Sequence, residues 1–187
     1  MTEAQLTART PSSPSPDDSA PPQDMILGRD IEIGSLPEAN ETPLSEFHQA
    51  AYNGQLDKMR KIIRKEEIKN IDERDSIGRT ALHWGTAAGN VELVVFLMDR
   101  KAKINATDRL GWTPLTMAAL YGHDTIVRFL LSRGADPFTV DTQKATALHY
   151  ACSQGNDLAA QALLTRGARV DAEDTNKATP LHYSGMY

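Results

Sequence analysis

Apolar positions between residues 45 and 187 fall into paired short blocks, and the pairs recur along the chain. Val91, Val94, Val95, Leu97 and Met98 form one block; Ile126, Val127, Leu130 and Leu131 form another. Their spacing is that of one face of an amphipathic helix. Each is preceded by a block rich in small residues, such as Ala81-Leu82-His83-Trp84 or Ala147-Leu148-His149-Tyr150-Ala151. The two blocks of a pair are separated by a glycine, Gly89, Gly122 or Gly155, which ends the first helix by entering the left-handed region. Gly134-Ala135-Asp136 and Gly167-Ala168-Arg169 close the second helix. The pattern predicts helix pairs joined by loops, an all-α chain.

The pairs keep a strict period. Thr80, Thr113, Thr146 and Thr179 lie 33 residues apart, each followed two residues later by Leu82, Leu115, Leu148 or Leu181. Five residues before each threonine stands Asp75, Asp108, Asp141 or Asp174. The core reads Thr80-Ala81-Leu82-His83, Thr113-Pro114-Leu115-Thr116, Thr146-Ala147-Leu148-His149 and Thr179-Pro180-Leu181-His182. A threonine suits the N-cap, and proline the first helical position. A weaker copy opens at Ser45, 35 residues before Thr80, with its two extra residues assigned to the surface between Lys65 and Asn70. A 33-residue period with a T-P-L-H-x-A core resembles the ankyrin-repeat family. The expected fold is therefore an ankyrin-repeat solenoid of four repeats (about 45–74, 80–109, 113–142 and 146–175) plus a truncated fifth at 179–187. Such units bury their apolar faces only against their neighbours. The stop inside the fifth suggests a fragment of a longer protein.

Charge changes the picture at one end. Residues 1–43 hold seven of the ten prolines and eight acidic against two basic residues, whereas 44–187 is nearly neutral. A Pro/Ser-rich acidic segment with few large apolar residues cannot offset its chain entropy, so 1–43 is expected to be a disordered tail. Its Thr10-Pro11, Ser13-Pro14, Ser15-Pro16 and Thr42-Pro43 pairs suit proline-directed kinases. Met25-Ile26-Leu27 and Ile31-Glu32-Ile33 are its only apolar knots. The formal net charge of −5 does not suit a nucleic-acid binder. No apolar run reaches membrane-spanning length and no secretory signal opens the chain, so no membrane association is expected. Cys152 is the single cysteine, in keeping with a reducing cytoplasmic or nuclear setting.

No residue set points to catalysis, a metal or a cofactor. His48, His83, His149 and His182 share one repeat position and are spread along the stack, a structural arrangement that lacks the partners of a zinc site. His123 opens a second helix. Cys152 reads as a small inward residue rather than a nucleophile. Lys58, Arg60, Lys61, Arg64, Lys65 and Lys69 crowd one helix end, interrupted by Glu66 and Glu67, and read chiefly as a solvated face favoured by the helix dipole.

In ankyrin stacks, loop tips and the exposed side of the first helices line a concave groove, and the resemblance assigns partner binding there. The corresponding positions are Tyr52 and Asn53; Ser76, Ile77, Arg79, Ala87 and Ala88; Arg109, Leu110, Trp112, Leu120 and Tyr121; and Thr142, Gln143, Ala145, Ser153 and Gln154. Trp112, Tyr121, Arg109, Leu110, Leu120, Arg79, Ile77, Tyr52 and Gln154 are the expected contacts. Arg109, Trp112 and Tyr121 are residue types that dominate interface energetics, which places the expected centre on the third repeat. Trp112, at a loop position, is expected to bind rather than pack, so that its replacement by alanine leaves thermal stability nearly unchanged. Trp84 is expected to be half-buried.

Within the repeats, Ala51-Tyr52-Asn53-Gly54-Gln55-Leu56, Gly78-Arg79-Thr80-Ala81-Leu82-His83-Trp84, Gly111-Trp112-Thr113-Pro114-Leu115 and Ala147-Leu148-His149-Tyr150-Ala151 are similar to the gankyrin-like assembly chaperones of the proteasome regulatory particle. That resemblance implies a monomer cradling the C-terminal domain of a proteasomal ATPase subunit. This chain departs from that resemblance: such proteins have seven repeats whereas the fifth stops short here, the acidic tail has no counterpart there, and their Leu-x-Cys-x-Glu motif is absent from this sequence. The alternative expectation is an ankyrin module of a larger signalling or enzymatic protein.

Overall fold

The computed structural model describes residues 45–65 and 70–184. The expectations for the acidic segment 1–43, and the insertion assigned between Lys65 and Asn70, fall wholly or largely outside the described residues. Among those residues the chain forms nine helices in pairs: α1 (Glu46–Tyr52) and α2 (Leu56–Arg64); α3 (Ala81–Ala87) and α4 (Val91–Asp99); α5 (Pro114–Leu120) and α6 (Asp124–Ser132); α7 (Ala147–Ser153) and α8 (Asp157–Thr165); and a lone α9 (Pro180–Ser184). The β structure in them amounts to an isolated antiparallel bridge between Val140 and Thr146. The ankyrin-repeat solenoid expected from the period is the fold observed.

Each first helix starts for a local reason that also couples it to the next repeat. Thr80, Thr113 and Thr146 sit in extended conformation at the N-caps of α3, α5 and α7. In α3 the Thr80 backbone N–H donates to His83 Nδ1 at 3.1 Å, so the imidazole carries its proton on Nε2. That Nε2–H donates to the Trp112 carbonyl, 3.0 Å away in the following loop. His48 and His149 repeat the arrangement, with Nε2 at 3.0 Å from Glu73 O and 3.3 Å from Ala178 O. These histidines are therefore bolts between repeats, and each satisfies a backbone carbonyl of the following loop.

The period aspartates organise the loops. Asp75, Asp108, Asp141 and Asp174 each accept two backbone N–H groups on Oδ1, from the residues two and four positions on. The loop tips are then tied to one another: Arg109 N–H donates to Ile77 O, Thr142 N–H to Leu110 O and Thr175 N–H to Gln143 O, at 3.0, 2.9 and 2.8 Å. One glycine shows why its residue type is needed. Gly89 has φ +70°, and a Cβ there would stand 2.6 Å from His123 Cε1 of the next repeat. Lys101, Lys144 and Lys177 also occupy the left-handed region, at positions where other repeats use glycine, Gly134 and Gly167 for the first and Gly78 and Gly111 for the other two.

The core runs the length of the stack between the two helix layers. Leu82, Leu93, Leu97, Leu115, Ile126, Leu130, Leu148 and Leu163 are buried almost completely. Burying one such side chain is worth about 2 kcal/mol. Successive first helices pack firmly on one another, α1 on α3, α3 on α5, α5 on α7 and α7 on α9, whereas α4 touches α6 only sparsely. Further along, α6 packs on α8 as well, so the second helices close up toward the C-terminal repeats. Trp84 is buried rather than half-buried, because its ring lies between Tyr52 and Arg79 and its Nε1–H donates to Asp75 Oδ2 at 2.8 Å. Cys152 is only partly buried, and burial holds its thiol above the usual range.

Candidate partner-binding face

The residues assigned to the groove divide into two physical groups. Trp112, Arg79 and Leu120 are buried, at 6%, 5% and 5% exposure, as are Ala145 and Ser153. Their expected exposure is corrected. Trp112 packs edge-on against Tyr150 with ring centroids 5.2 Å apart. Its Nε1–H lies 3.2 Å from both Asp141 Oδ2 and Tyr150 Oη, and the tyrosine hydroxyl in turn donates to the same carboxylate oxygen. A ring placed at a loop position in sequence becomes a core residue because the next repeat folds over it. Burial first, and then the Asp141 charge, push the Tyr150 phenol far above its ordinary range. Arg79 is held likewise: its Nε–H meets Asp108 Oδ2 at 3.2 Å, and its guanidinium lies 5.0 Å from the Trp84 ring.

A rule connects these pairs. The residue just before the capping threonine reaches forward to the aspartate of the next repeat, Arg79 to Asp108 and Trp112 to Asp141. The aspartate's second oxygen also accepts from the residue nine positions later in its own repeat: Trp84 on Asp75, Tyr150 on Asp141 and Tyr183 on Asp174. In the third repeat that position is Met117, which has no donor, and Arg79 alone supplies Asp108 Oδ2. The signal in the sequence was a donor at one of these two offsets from every period aspartate.

Tyr52, Ile77, Leu110 and Tyr121 remain half-buried, and Arg109 and Gln154 are exposed. Leu110, Tyr121 and Ala87 pack against the buried cluster of Trp112, Met117, Leu120, Ala145 and Tyr150. Ala87 is among the groove positions read from the sequence but not among the expected contacts. Tyr121 is ordered from below: its ring stacks on His123, centroids 6.0 Å apart, and His123 Nε2–H donates to Ala87 O at 3.0 Å. Burial raises the Tyr121 phenol above its usual range. The face thus carries a fixed aromatic ring and a leucine over a dry base, flanked by the exposed Arg109. Toward the fourth repeat it becomes polar, with exposed Thr142, Gln143 and Gln154.

A surface of this composition is suited to binding another protein. Among the described residues no group of three or more His, Cys, Asp and Glu is placed to hold a metal ion. No helix of the described residues is long and apolar enough to cross a membrane.

Comparison with known proteins agrees with this geometry. The family model for ankyrin repeats (three copies) matches residues 47–141 and 136–187. A 56-residue stretch is 41% identical to the 26S proteasome non-ATPase regulatory subunit 10 of Rattus norvegicus, covering 29% of this chain and 23% of that protein. A 59-residue stretch is 37% identical to transient receptor potential cation channel subfamily A member 1 of Homo sapiens, covering 32% of this chain and 5% of the channel subunit. The matched stretches therefore span less than a quarter of either relative's length.

Proposed function

The chain belongs to the ankyrin-repeat family, and from that premise we propose that it binds a folded partner protein on its concave face, with Tyr121, Leu110 and Arg109 of the third repeat at the energetic centre. The observation that carries this reading is the patch of Leu110, Tyr121 and Ala87, half-exposed above the buried Trp112 cluster. A rigid aromatic beside an aliphatic side chain, rimmed by an arginine and amides, has the composition of an interface hot spot. Because His123 already fixes the Tyr121 ring, little side-chain entropy remains to be lost on association. Tyr52, Ile77 and Gln154 extend the same face, whereas Trp112, Arg79 and Leu120 support it from below.

The stretch shared with a proteasome regulatory subunit supports a finer reading, an assembly chaperone of the regulatory particle whose partner is the C-terminal domain of a proteasomal ATPase subunit. Purified ATPase C-terminal domains mixed with this chain test it by isothermal titration. One domain should bind, and Tyr121→Ala should weaken it about tenfold while circular dichroism shows the variant still folded at the titration temperature. Binding to none of these domains sinks the proteasomal reading. Binding to one that ignores Tyr121 and Leu110 sinks the assigned face. The channel match favours a second reading, an interaction module within a larger signalling protein.

A further inference from the structure

The loop that leads into α7 breaks, at two positions, a pattern that the other loops keep. Asp72, Asn105, Phe138 and Asp171 occupy one repeat position. Asp72 Oδ1 accepts the Lys103 N–H at 2.8 Å and Asn105 Oδ1 the Asp136 N–H at 3.0 Å, each fastening its loop to the next. Phe138 has no acceptor, so the corresponding tie to the Arg169 N–H is missing. Two residues on, Val140 stands where the loop into α9 has Glu173. Glu173 holds Lys177 Nζ at 3.0 Å, whereas the equivalent Lys144 has no carboxylate partner among the described residues. Lys144 moreover sits at φ +60°, in the left-handed region that Gly78 and Gly111 fill at the same position.

Burial does not return what these exchanges forgo, since Phe138 and Val140 are 54% and 49% exposed. The ring is nevertheless held in place. Pro137 restricts the backbone before it, and Asp136 Oδ1 accepts the Phe138 N–H at 2.8 Å. The ring edge lies over Gly167, where a Cβ would stand 3.8 Å from it. Phe138 and Val140 share a cleft of about 800 Å³ with Lys144, Arg169, Asp171 and Glu173.

We propose that this cleft is a second docking surface, which takes a short extended segment of a partner protein in which an apolar side chain stands next to a single carboxylate. The apolar side chain follows from the pinned ring and valine, an exposed apolar pair of the kind that marks a contact site. The carboxylate follows from the charges. Arg169 Nε and Nη2 both meet the Asp171 carboxylate at 3.1 Å, and Glu173 is held by Lys177, which leaves the Lys144 ammonium as the uncompensated charge of the cleft. A run of carboxylates or a phosphate backbone would meet Asp171 and Glu173 unfavourably, so one anionic group fits and several do not. A second copy of this chain does not fit either: a stable dimer needs about 800 Å² a side, more than two partly exposed side chains supply. The cleft shares no residue with the patch of Leu110, Tyr121 and Ala87, so it stands or falls independently of that face.

Titrating the isotope-labelled full chain with the capped hexapeptide Gly-Ser-Leu-Glu-Ser-Gly at millimolar concentration, followed by NMR, tests the proposal. The amide signals of Phe138, Val140 and Lys144 should move, and that of Tyr121 should not. Exchanging the peptide's glutamate for glutamine should weaken binding about threefold, the size expected of one exposed charge pair. Lys144→Gly should weaken it by the same factor. That variant restores the residue type of Gly78 and Gly111 and relieves a left-handed lysine, so its fold is secure. Phe138→Asn, which copies Asn105, should weaken binding about tenfold; if it folds poorly, Lys144→Gly still decides. Unmoved amides around the cleft, equal affinity for the glutamate and glutamine peptides, indifference to Lys144→Gly, or tighter binding of hexaglutamate would overturn the proposal. Self-association in sedimentation that Phe138→Asn abolishes would overturn it too, in favour of a second copy.

Discussion

Arg79 and Asp108 form an ion pair across two repeats, with Nε 3.2 Å from Oδ2 and side chains 6% and 2% exposed. Removing one partner of a buried pair leaves an uncompensated charge, which costs about 3–5 kcal/mol. Here no second donor waits, since Met117 occupies the position that supplies one to Asp141 and Asp174. Arg79→Ala should accordingly lower the unfolding free energy by about 3 kcal/mol in urea titration. A loss under 1 kcal/mol would mean that water replaces the guanidinium.

Trp112→Ala should behave as a core truncation. The indole is 6% exposed and shares Asp141 with Tyr150, so its removal opens a cavity and costs about 3–5 kcal/mol. Trp112→Phe keeps most of the ring and loses the N–H, and it should cost about 1–2 kcal/mol, Tyr150 still supplying the carboxylate. Calorimetric midpoints rank the variants; an unchanged midpoint for the alanine variant would restore the exposed placement.

Thr86 is the buried side chain whose hydroxyl finds no hydrogen-bond partner among the described residues. The equivalent positions one repeat either side are Ala51 and Ala119. An unsatisfied buried hydroxyl costs about 1–3 kcal/mol, set against the small cavity left by deletion. Thr86→Ala should raise the unfolding free energy by about 1 kcal/mol, and a lower denaturation midpoint would refute this.

Acid should loosen the stack through His83. Burial, with Arg79 and Arg74 adding to it, lowers this imidazole from 6.5 to about 4, against the opposing hydrogen bond to the Trp112 carbonyl and the Asp75 charge. The unfolded chain thus binds a proton that the folded chain refuses between those values. Its contribution is fully present above about pH 6.5 and is lost as pH falls toward 4. A loss of about 2 kcal/mol between pH 7.5 and 5 follows from one unit being 1.36 kcal/mol. His149, shifted down by burial, acts in the same direction. Denaturation curves across that range check it; a His83→Gln variant with the same slope would remove His83 as the cause.

The sequence by itself determined the period, the all-α solenoid and the structural role of the shared histidines. Those follow from local requirements that a linear pattern can express: a capping threonine, a left-handed glycine and apolar residues on one helix face. It marked a set of positions as a candidate binding face but could not sort those residues by depth. Arg79 and Trp112 look like free loop residues until the next repeat is laid over them, because their partners Asp108 and Asp141 lie 29 residues further on. Tyr121 carries no mark in the sequence of the His123 ring that orders it, nor Arg100 of the Phe96 ring it shares with Arg60. Burial and ring contact are properties of pairs of repeats, and only the tertiary stack, which decides which faces meet, could assign them.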